Sequence, residues 1–445
     1  MAPRHQAPRG TRDLLPGDIE RWQWAEARSR GVMERYGYRE IRTPLFEDYE
    51  LFARTSGDSS DVVQKEMYRF KDLGDRDLAL RPENTAGVCR AYLEHGLASK
   101  GRVHRLWYAG PMFRYGRPQK GRYRQFWQIG AEVIGTPAPG ADVEMIALFV
   151  DIFDAWGITG LTVAVNSVGT PESRRAYGDA LREWLAPVRD RLGADSQRRL
   201  ETNPLRVLDT KVPDEIALLR GDGWPEPSGV ARPSAWPPPM PHLIDVLDPE
   251  SRAHFDAVRH GLETLGIAYE VDHGLVRGLD YYTRTAFEVH DRSLGAQSAL
   301  GGGGRYDGLI QELGGPATPG VGFSIGLDRS LLVMEERGLG PTGGAVQVYV
   351  AAMDTTRDPA AVLARTLRRS YAVELDPEAR GLSAQMKAAD KSGARLLVLV
   401  GEEEWAKGGV VVRDLRGGEQ EFVMKDRIED TLRARLGATN HGAQG

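Results

Sequence analysis

Apolar positions recur at near-helical spacing across residues 18–36 (DIERWQWAEARSRGVMERY), which predicts an amphipathic helix with Asp18 placed to cap it. Residues 37–47 (GYREIRTPLFE) alternate instead and predict a strand interrupted at Pro44. A proline fits a strand at an edge or a bulge, where an interface can form. Strand patterns follow at 66–70, 77–80, 103–114 and 124–135, then a helix at 142–157 and a strand at 161–169. Strands in succession with helices between them predict an α+β core on a largely antiparallel sheet.

The pattern changes after Gly169. Residues 171–222 are rich in charge and helix formers, and residues 223–241 hold seven prolines in nineteen positions. Such a stretch is neither helix nor central strand, so it predicts a long loop or a semi-rigid spacer. Strand signals resume at 267–272 and run through residue 289, before a helical segment closes this part near Met334. Residues 170–245 therefore read as a mostly helical insertion within one larger domain, formed by 1–169 and 246–338. Beyond a Gly- and Pro-rich linker at 335–344 the pattern becomes a β-α-β-α-β series, with strands at 345–353, 372–375 and 395–401 and helices at 358–370 and 382–393. Alternation of that kind predicts a separate small α/β domain, residues 345–434, with parallel pairing.

Composition narrows the class. At 445 residues two to four compact units are expected, and shares of 41% hydrophobic and 27% charged residues are those of a globular protein. No apolar run approaches the roughly 20 residues that cross a bilayer, and the first residues lack the apolar core of a signal peptide, so no membrane association and a cytoplasmic location are expected. One cysteine, Cys89, leaves no internal disulfide and no Cys-based zinc site. The net charge of −5 argues against coating nucleic acid by bulk charge. Between Gly101 and Ala131, however, Arg102, Arg105, Arg114, Arg117, Lys120, Arg122 and Arg124 meet no Asp or Glu. That local excess suggests a polyanion met at one place.

The glycines of GGGGRYDG (301–308) lack the G-x-G-x-x-G spacing of a dinucleotide fold, and no phosphate loop ending in G-K-[ST] is present. Glycines here suggest a backbone that approaches a ligand lying on the sheet. Nine histidines include no H-E-x-x-H and no close-spaced His/Cys set, so no metal site built from protein clusters is expected. GFSIG (322–326) matches the letters of a serine-hydrolase elbow without a supporting oxyanion motif. What remains is a set in or beside strand-like segments: Arg114, Glu132, Arg277, Asp280, Arg305 and Arg329. Arginines fixed on a sheet suit the stabilisation of a phosphate in transfer, because their fork geometry and permanent charge bind anionic oxygens. Phosphoryl or nucleotidyl transfer is the reaction class these residues suggest.

Longer segments make the resemblance specific. RGTRDLLP (9–16), GYREIRTPLFE (37–47), LRPENTAG (80–87), MFRYGRPQKGRYRQFWQIGAEVIG (112–135), NPLRVLDTK (203–211), LVRGLDYYTRTAFEV (275–289), GGGGRYDG (301–308) and GVGFSIGLDR (320–329) closely resemble bacterial histidyl-tRNA synthetases, a class II aminoacyl-tRNA synthetase family, over nearly the whole chain. The resemblance implies a class II catalytic domain in two parts (1–169 and 246–338), the helical insertion clasping the tRNA acceptor stem, and a C-terminal α/β domain reading the anticodon. It implies a ligase that uses ATP and Mg2+ to activate L-histidine and transfers it to tRNA(His), and a homodimer formed through residues 37–47.

Carried over by motif, Arg114 binds the α-phosphate and Arg277 lies near it in the place many class II enzymes give to a cation. Arg329 stacks on adenine. Glu83, Thr85 and Gln128 hold the α-ammonium group, Tyr281, Tyr282 and Tyr306 line the imidazole site, and Glu132 accepts a hydrogen bond from the ring. Arg117, Gln119, Lys120 and Arg122 of the loop 115–124 meet the acceptor end of the tRNA. One position departs from the family pattern: two residues after Arg114, where an acidic group usually receives the adenine amino group, stands Gly116. The competing expectation is a non-catalytic histidine-binding paralogue, the regulatory subunit of ATP phosphoribosyltransferase. Such paralogues typically lose the motif arginines and the C-terminal domain, and this chain carries both.

Overall fold

The computed structural model describes residues 5–56, 62–210, 212–224, 237–275, 281–293, 298–341, 346–378 and 380–437. Two compact units divide the chain, one comprising residues 1–15 and 21–340 and the other Pro16–Glu20 with Pro341–Gly445. The first contains strands β1 (Arg39–Glu40), β2 (Phe46–Asp48), β3 (Arg69–Lys71), β4 (Asp77–Leu80), β5 (His104–Phe113), β6 (Gln125–Ile134), β7 (Thr162–Ser167), β8 (Tyr269–Val271), β9 (Thr283–His290), β10 (Ala299–Arg305) and β11 (Gly320–Gly326). Eight of them form one sheet in the order β1-β5-β6-β11-β10-β9-β7-β8. Every interior pairing is antiparallel, and only the edge pairs β1–β5 and β7–β8 are parallel. The expected split around Pro44 is present: β1 ends at Glu40 on the edge of the large sheet, and β2 begins at Phe46 in a small antiparallel sheet, β2-β4-β3.

Behind the large sheet lies helix Pro139–Ala155, buried on several sides at once. Phe149 on this helix meets Phe287 of β9 and Phe323 of β11 edge to face, at 5.8 and 4.7 Å between ring centroids. Gly301 and Gly303 let these rings reach the sheet, since a β-carbon at Gly303 would lie 2.7 Å from Phe323 and 2.8 Å from Phe287. Helix Pro249–Thr264 covers the other side of Pro139–Ala155, with Gly261 against Val143. The periodicity reading missed this second helix, although its start is written in DPES: Asp248 caps it by accepting from the Ser251 N–H at 2.8 Å, and Pro249 takes the first turn.

In the first helix, Asp18 is the first helical residue rather than the cap, and Glu20 folds back to accept from the Gly17 N–H at 2.5 Å. Residues 66–70 are strand only from Arg69 onward, because Val62–Glu66 form a π-helical turn whose last carbonyl is taken by the Tyr115 N–H at 2.7 Å. Helices Pro171–Leu185, Ala194–Thr202 and Pro213–Leu219 fill residues 170–220 and enclose Leu185, Val188, Leu200 and Leu218. The end of the proline-rich stretch is held through its carbonyls: Pro238 accepts from Trp184 Nε1 at 2.8 Å and Pro241 from the Tyr177 hydroxyl at 3.0 Å. Residues 225–236 lie outside the described residues.

The second unit holds β12 (Val348–Ala352), β13 (Val373–Leu375), β14 (Leu396–Val400), β15 (Gly409–Asp414) and β16 (Gln420–Met424), ordered β13-β12-β14-β15-β16. Parallel pairing joins β12 to β13 and to β14, as the alternation predicts, but β14-β15-β16 is antiparallel. The difference lies in the connection. A parallel pair needs a helical crossover, whereas β15 and β16 are joined by a short turn, in which Asp414 Oδ1 accepts from the N–H groups of Arg416 and Gly417 at 2.8 and 3.0 Å.

Candidate active site

On the face of the sheet opposite Phe149, four glycines clear a floor on which large side chains lie flat. Strand β6 points Gln128, Gly130 and Glu132 to one face, and at Gly130 a β-carbon would lie 2.4 Å from the Tyr108 ring. Likewise a β-carbon at Gly304 would meet the Tyr282 ring at 2.7 Å, at Gly320 the Tyr306 ring at 2.2 Å, and at Gly322 the Glu132 carboxylate at 1.7 Å. These glycines therefore make room chiefly for the protein's own tyrosines and Glu132, not only for a ligand on the sheet. Tyr281 packs against Tyr282 at 4.7 Å and against Tyr306 at 5.9 Å between centroids, and the three rings form a cup.

Glu132 lies under this cup, fully buried, with both oxygens already occupied. Oε1 accepts from the hydroxyls of Thr85 (2.8 Å) and Tyr108 (3.3 Å), and Oε2 from that of Tyr306 (2.6 Å). Burial pushes its carboxyl up to about 8 against the pull of these donors, and neighbouring Glu83 adds to the rise. At the wall, Glu83 is also buried; Oε2 accepts from the Thr85 N–H at 2.5 Å and Oε1 from the Ala86 N–H at 3.1 Å, at the start of helix Thr85–Glu94. Burial raises Glu83 as well, while these backbone donors and Arg114 oppose it. The side-chain oxygen of Gln128 is buried without a hydrogen-bond partner among the described residues, which marks it for a ligand donor.

A cavity of about 560 Å³ opens above this floor. At one end its lining includes Glu83, Thr85, Tyr108, Gln128, Tyr281, Tyr282 and Tyr306; it also includes Arg114, Arg117, Gln119, Arg122, Phe126 and Arg329. Arg114 is aimed by its Nε bond to the Pro82 carbonyl (2.8 Å) and lies over Phe126 at 5.4 Å from the ring centroid. Arg329, at the start of helix Leu327–Glu336, donates from Nη1 to the Ala299 carbonyl at 2.9 Å. Burial, reinforced by the like charge of Arg122, lowers the Arg329 pKa, so an anion between these guanidinium groups would be stabilised strongly. The loop between β5 and β6 closes on a tight turn, with Gln119 and Arg122 exchanging backbone hydrogen bonds at 3.1 and 2.9 Å and Gly121 at φ +74°.

The structure thus gathers most of the sequence-predicted residues around one cavity, with five exceptions. Arg277 and Asp280 lie outside the described residues. Glu132 is beneath the cavity wall and touches the space through Tyr306, Thr85 and Tyr108. Lys120 is exposed and pairs with Glu336 at 3.2 Å. Arg305 is the clear correction to the phosphate-binding set: it is fully buried and committed to the scaffold. It pairs with Asp142 and with Asp307 (3.0 Å) and donates to the carbonyls of Thr136 (3.0 Å) and Ala138 (3.2 Å), locking the start of helix Pro139–Ala155 to β10. Ser324 lies within β11 rather than on a strand-to-helix turn, which removes the elbow reading.

Residue-by-residue reading of motifs also missed Tyr108, Arg12 and Asp328. Arg12 pairs with Asp328 at 3.0 Å and crosses the Tyr123 ring at 4.5 Å; Asp328 in turn accepts from the Trp127 N–H at 2.9 Å. The signal for Arg12 is its place in RGTRDLLP. The signal for Asp328 is its position beside Arg329.

The residue set with this geometry has relatives. The family model described as histidyl-tRNA synthetase matches residues 10–173 and 244–329, and one described as anticodon binding domain matches 347–435. A protein of Thermosynechococcus vestitus named histidine–tRNA ligase is 47% identical over 438 residues, covering 97% of this chain and 97% of the relative. Its namesake from Desulforamulus reducens is 47% identical over 431 residues, covering 96% and 99%. Among solved structures, apo histidyl-tRNA synthetase of S. aureus superposes with a TM-score of 0.77 at 35% identity, covering 96% of this chain and all of that one. The chain belongs to the histidyl-tRNA synthetase family.

Proposed function

We propose that the cavity is where this histidine–tRNA ligase joins L-histidine to ATP, forming histidyl-adenylate and pyrophosphate, before the terminal ribose hydroxyl of tRNA(His) takes the histidyl group and releases AMP. The observation that carries the reading is the meeting of a tyrosine cup and an arginine cluster in one space. Imidazole lies against Tyr281, Tyr282 and Tyr306, with Glu132 fixing the Tyr306 and Thr85 hydroxyls from below. The α-ammonium group falls to Glu83, Thr85 and the unpartnered Gln128 oxygen. The substrate carboxylate then faces Arg114.

In the first step a carboxylate oxygen attacks the α-phosphorus in line and the bond to the β-phosphate bridging oxygen breaks. Arg114, with Arg277 assigned by motif, neutralises the charge spreading over the α-phosphate, and Arg329 covers adenine. Positioning and electrostatics suffice for such a transfer, which needs little covalent help. Among the described residues no group of three or more His, Cys, Asp or Glu could hold a metal, so Mg2+ would ride mainly on the phosphate oxygens and supply charge neutralisation there. A polar pocket matched to imidazole rejects apolar isosteres by roughly 10⁴ or more, without an editing site.

For the second step, Arg117, Gln119, Lys120 and Arg122 approach the acceptor end of the tRNA. The helical insertion, 170–245, clasps the acceptor stem, and residues 345–434 read the anticodon. The interruption of the first family match between 173 and 244 and the second match at 347–435 support these divisions. The protein works as a homodimer in the cytoplasm; exposed Leu45, Phe46 and Phe70 (42%, 52% and 40%) beside the small sheet support a partner there. The regulatory-paralogue reading is disfavoured by Arg114 and Arg329 both lining the cavity and by the anticodon-domain match. Charging of tRNA(His) with labelled histidine tests the proposal. Arg114→Ala should lower it by roughly 10²–10³, the scale of losing one preorganised donor to developing charge, while the thermal melt stays near that of the unaltered chain. Near-normal charging by that variant would remove Arg114 from the mechanism.

A further inference from the structure

Three carboxylates that line the cavity have no task in the steps above: Asp328 pairs with Arg12, Glu288 lies 3.3 Å from His290 Nε2, and the third is Glu66. Glu66 ends the π-helical turn Val62–Glu66 and its side chain, half-buried, lines the same space as Arg114, Arg122 and Arg329. Among the described residues its carboxylate makes no hydrogen bond or ion pair. Its position is nevertheless fixed: the Tyr115 N–H binds the Glu66 carbonyl at 2.7 Å, and the rings of Tyr68 and Tyr115 meet edge to face at 5.6 Å. The glycine that follows Tyr115 leaves the ground in front of the carboxylate open. A β-carbon at Gly116 would stand 3.4 Å from Glu66 Oε1, so any longer side chain there would compete for that ground.

A carboxylate held at the arginine-lined part of a nucleotide site repels phosphate. It suits a ligand group that donates hydrogen bonds and carries no negative charge, and on ATP the exocyclic amino group of the base is such a group. We infer that Glu66 selects adenine, its carboxylate accepting a hydrogen bond from the 6-amino group of the purine while Gly116 clears the approach. The inference rests on the reading that the cavity binds ATP and names the residue that distinguishes ATP from other purine triphosphates. A base with a carbonyl at position 6 would set oxygen against oxygen at Glu66 and leave both unsatisfied.

The test is histidine-dependent pyrophosphate exchange with ATP and with inosine triphosphate, which differs only by a 6-oxo group and the ring proton it requires. The unaltered protein should favour ATP. In Glu66→Gln the amide can donate to the 6-oxo group, so the ratio of kcat/KM values for the two nucleotides should fall by about 10- to 100-fold, expressed mainly in nucleotide KM, with little change in histidine KM. Glu66→Asp keeps the charge and withdraws the oxygens by one methylene; its ratio should lie between the two, and it carries the test if the glutamine variant does not fold. An unchanged ratio in the folded variant, or histidine and nucleotide KM rising together, overturns the inference. Absence of exchange by the unaltered protein with ATP and histidine would instead overturn the reading of the cavity.

Discussion

Glu132 shows how a residue's environment sets both stability and chemistry. Its carboxyl is held at about 8, above the ordinary 4.5, because burial outweighs three hydroxyl donors. Between those values the folded chain keeps a proton that the unfolded chain has released, so this contribution to stability falls as pH rises from about 4.5 to about 8. Denaturant unfolding of the unaltered protein and of Glu132→Gln from about pH 5 to about pH 9 checks the sign. The unaltered protein should lose stability relative to the variant across that range; a difference independent of pH would contradict the account. The positions of Arg114, Glu83, Thr85, Gln128 and Arg329 were legible because each lies in a segment whose neighbours are as distinctive as the residue itself. Arg305 was misread because sequence gives an arginine's charge but not its partner: Asp142 is 163 positions away and reaches it only once helix Pro139–Ala155 has packed on the sheet. Glu66 was not singled out, since a lone glutamate in a short segment carries no motif of its own.

At the scale of elements, the glycine-rich strands β10 and β11 show why sequence showed a floor but not its purpose. Their glycines announce a close approach, and only coordinates show that Tyr282, Tyr306 and Glu132 are what approach. Gly322 is the tightest case, with Glu132 occupying the space of its absent side chain. Gly322→Ala should therefore displace the carboxylate, lower stability by about 1–3 kcal/mol as overpacking does, and raise histidine KM more than nucleotide KM. Calorimetry and exchange kinetics check this, and a variant with unaltered melting and histidine KM would show that the glycine is dispensable. Long, strongly patterned strands such as β5 and β6 were read to within a residue or so. The short strands β4 and β13 were read as closely, but β15 and β16 were missed: they carry little periodic signal, and the turn chemistry of Asp414 that joins them was passed over.

Two compact units divide the chain near residue 340, the first with an eight-stranded and a three-stranded sheet and the second with a five-stranded one, and apolar cores gather within each. The exposed aromatic pair Phe46 and Phe70, 6.3 Å apart between ring centroids, leads to an expectation about assembly. Sedimentation equilibrium should give twice the chain mass of 49.1 kDa, and Phe46→Asp combined with Phe70→Asp should shift the population toward the monomer. A monomeric unaltered protein would contradict the dimer.

The central claim, that one cavity receives both an imidazole amino acid and ATP, meets its most direct test in ATP–pyrophosphate exchange with each of the common amino acids in turn. L-Histidine alone should support rapid exchange; exchange with none of them, or a preference for another amino acid, would contradict the account.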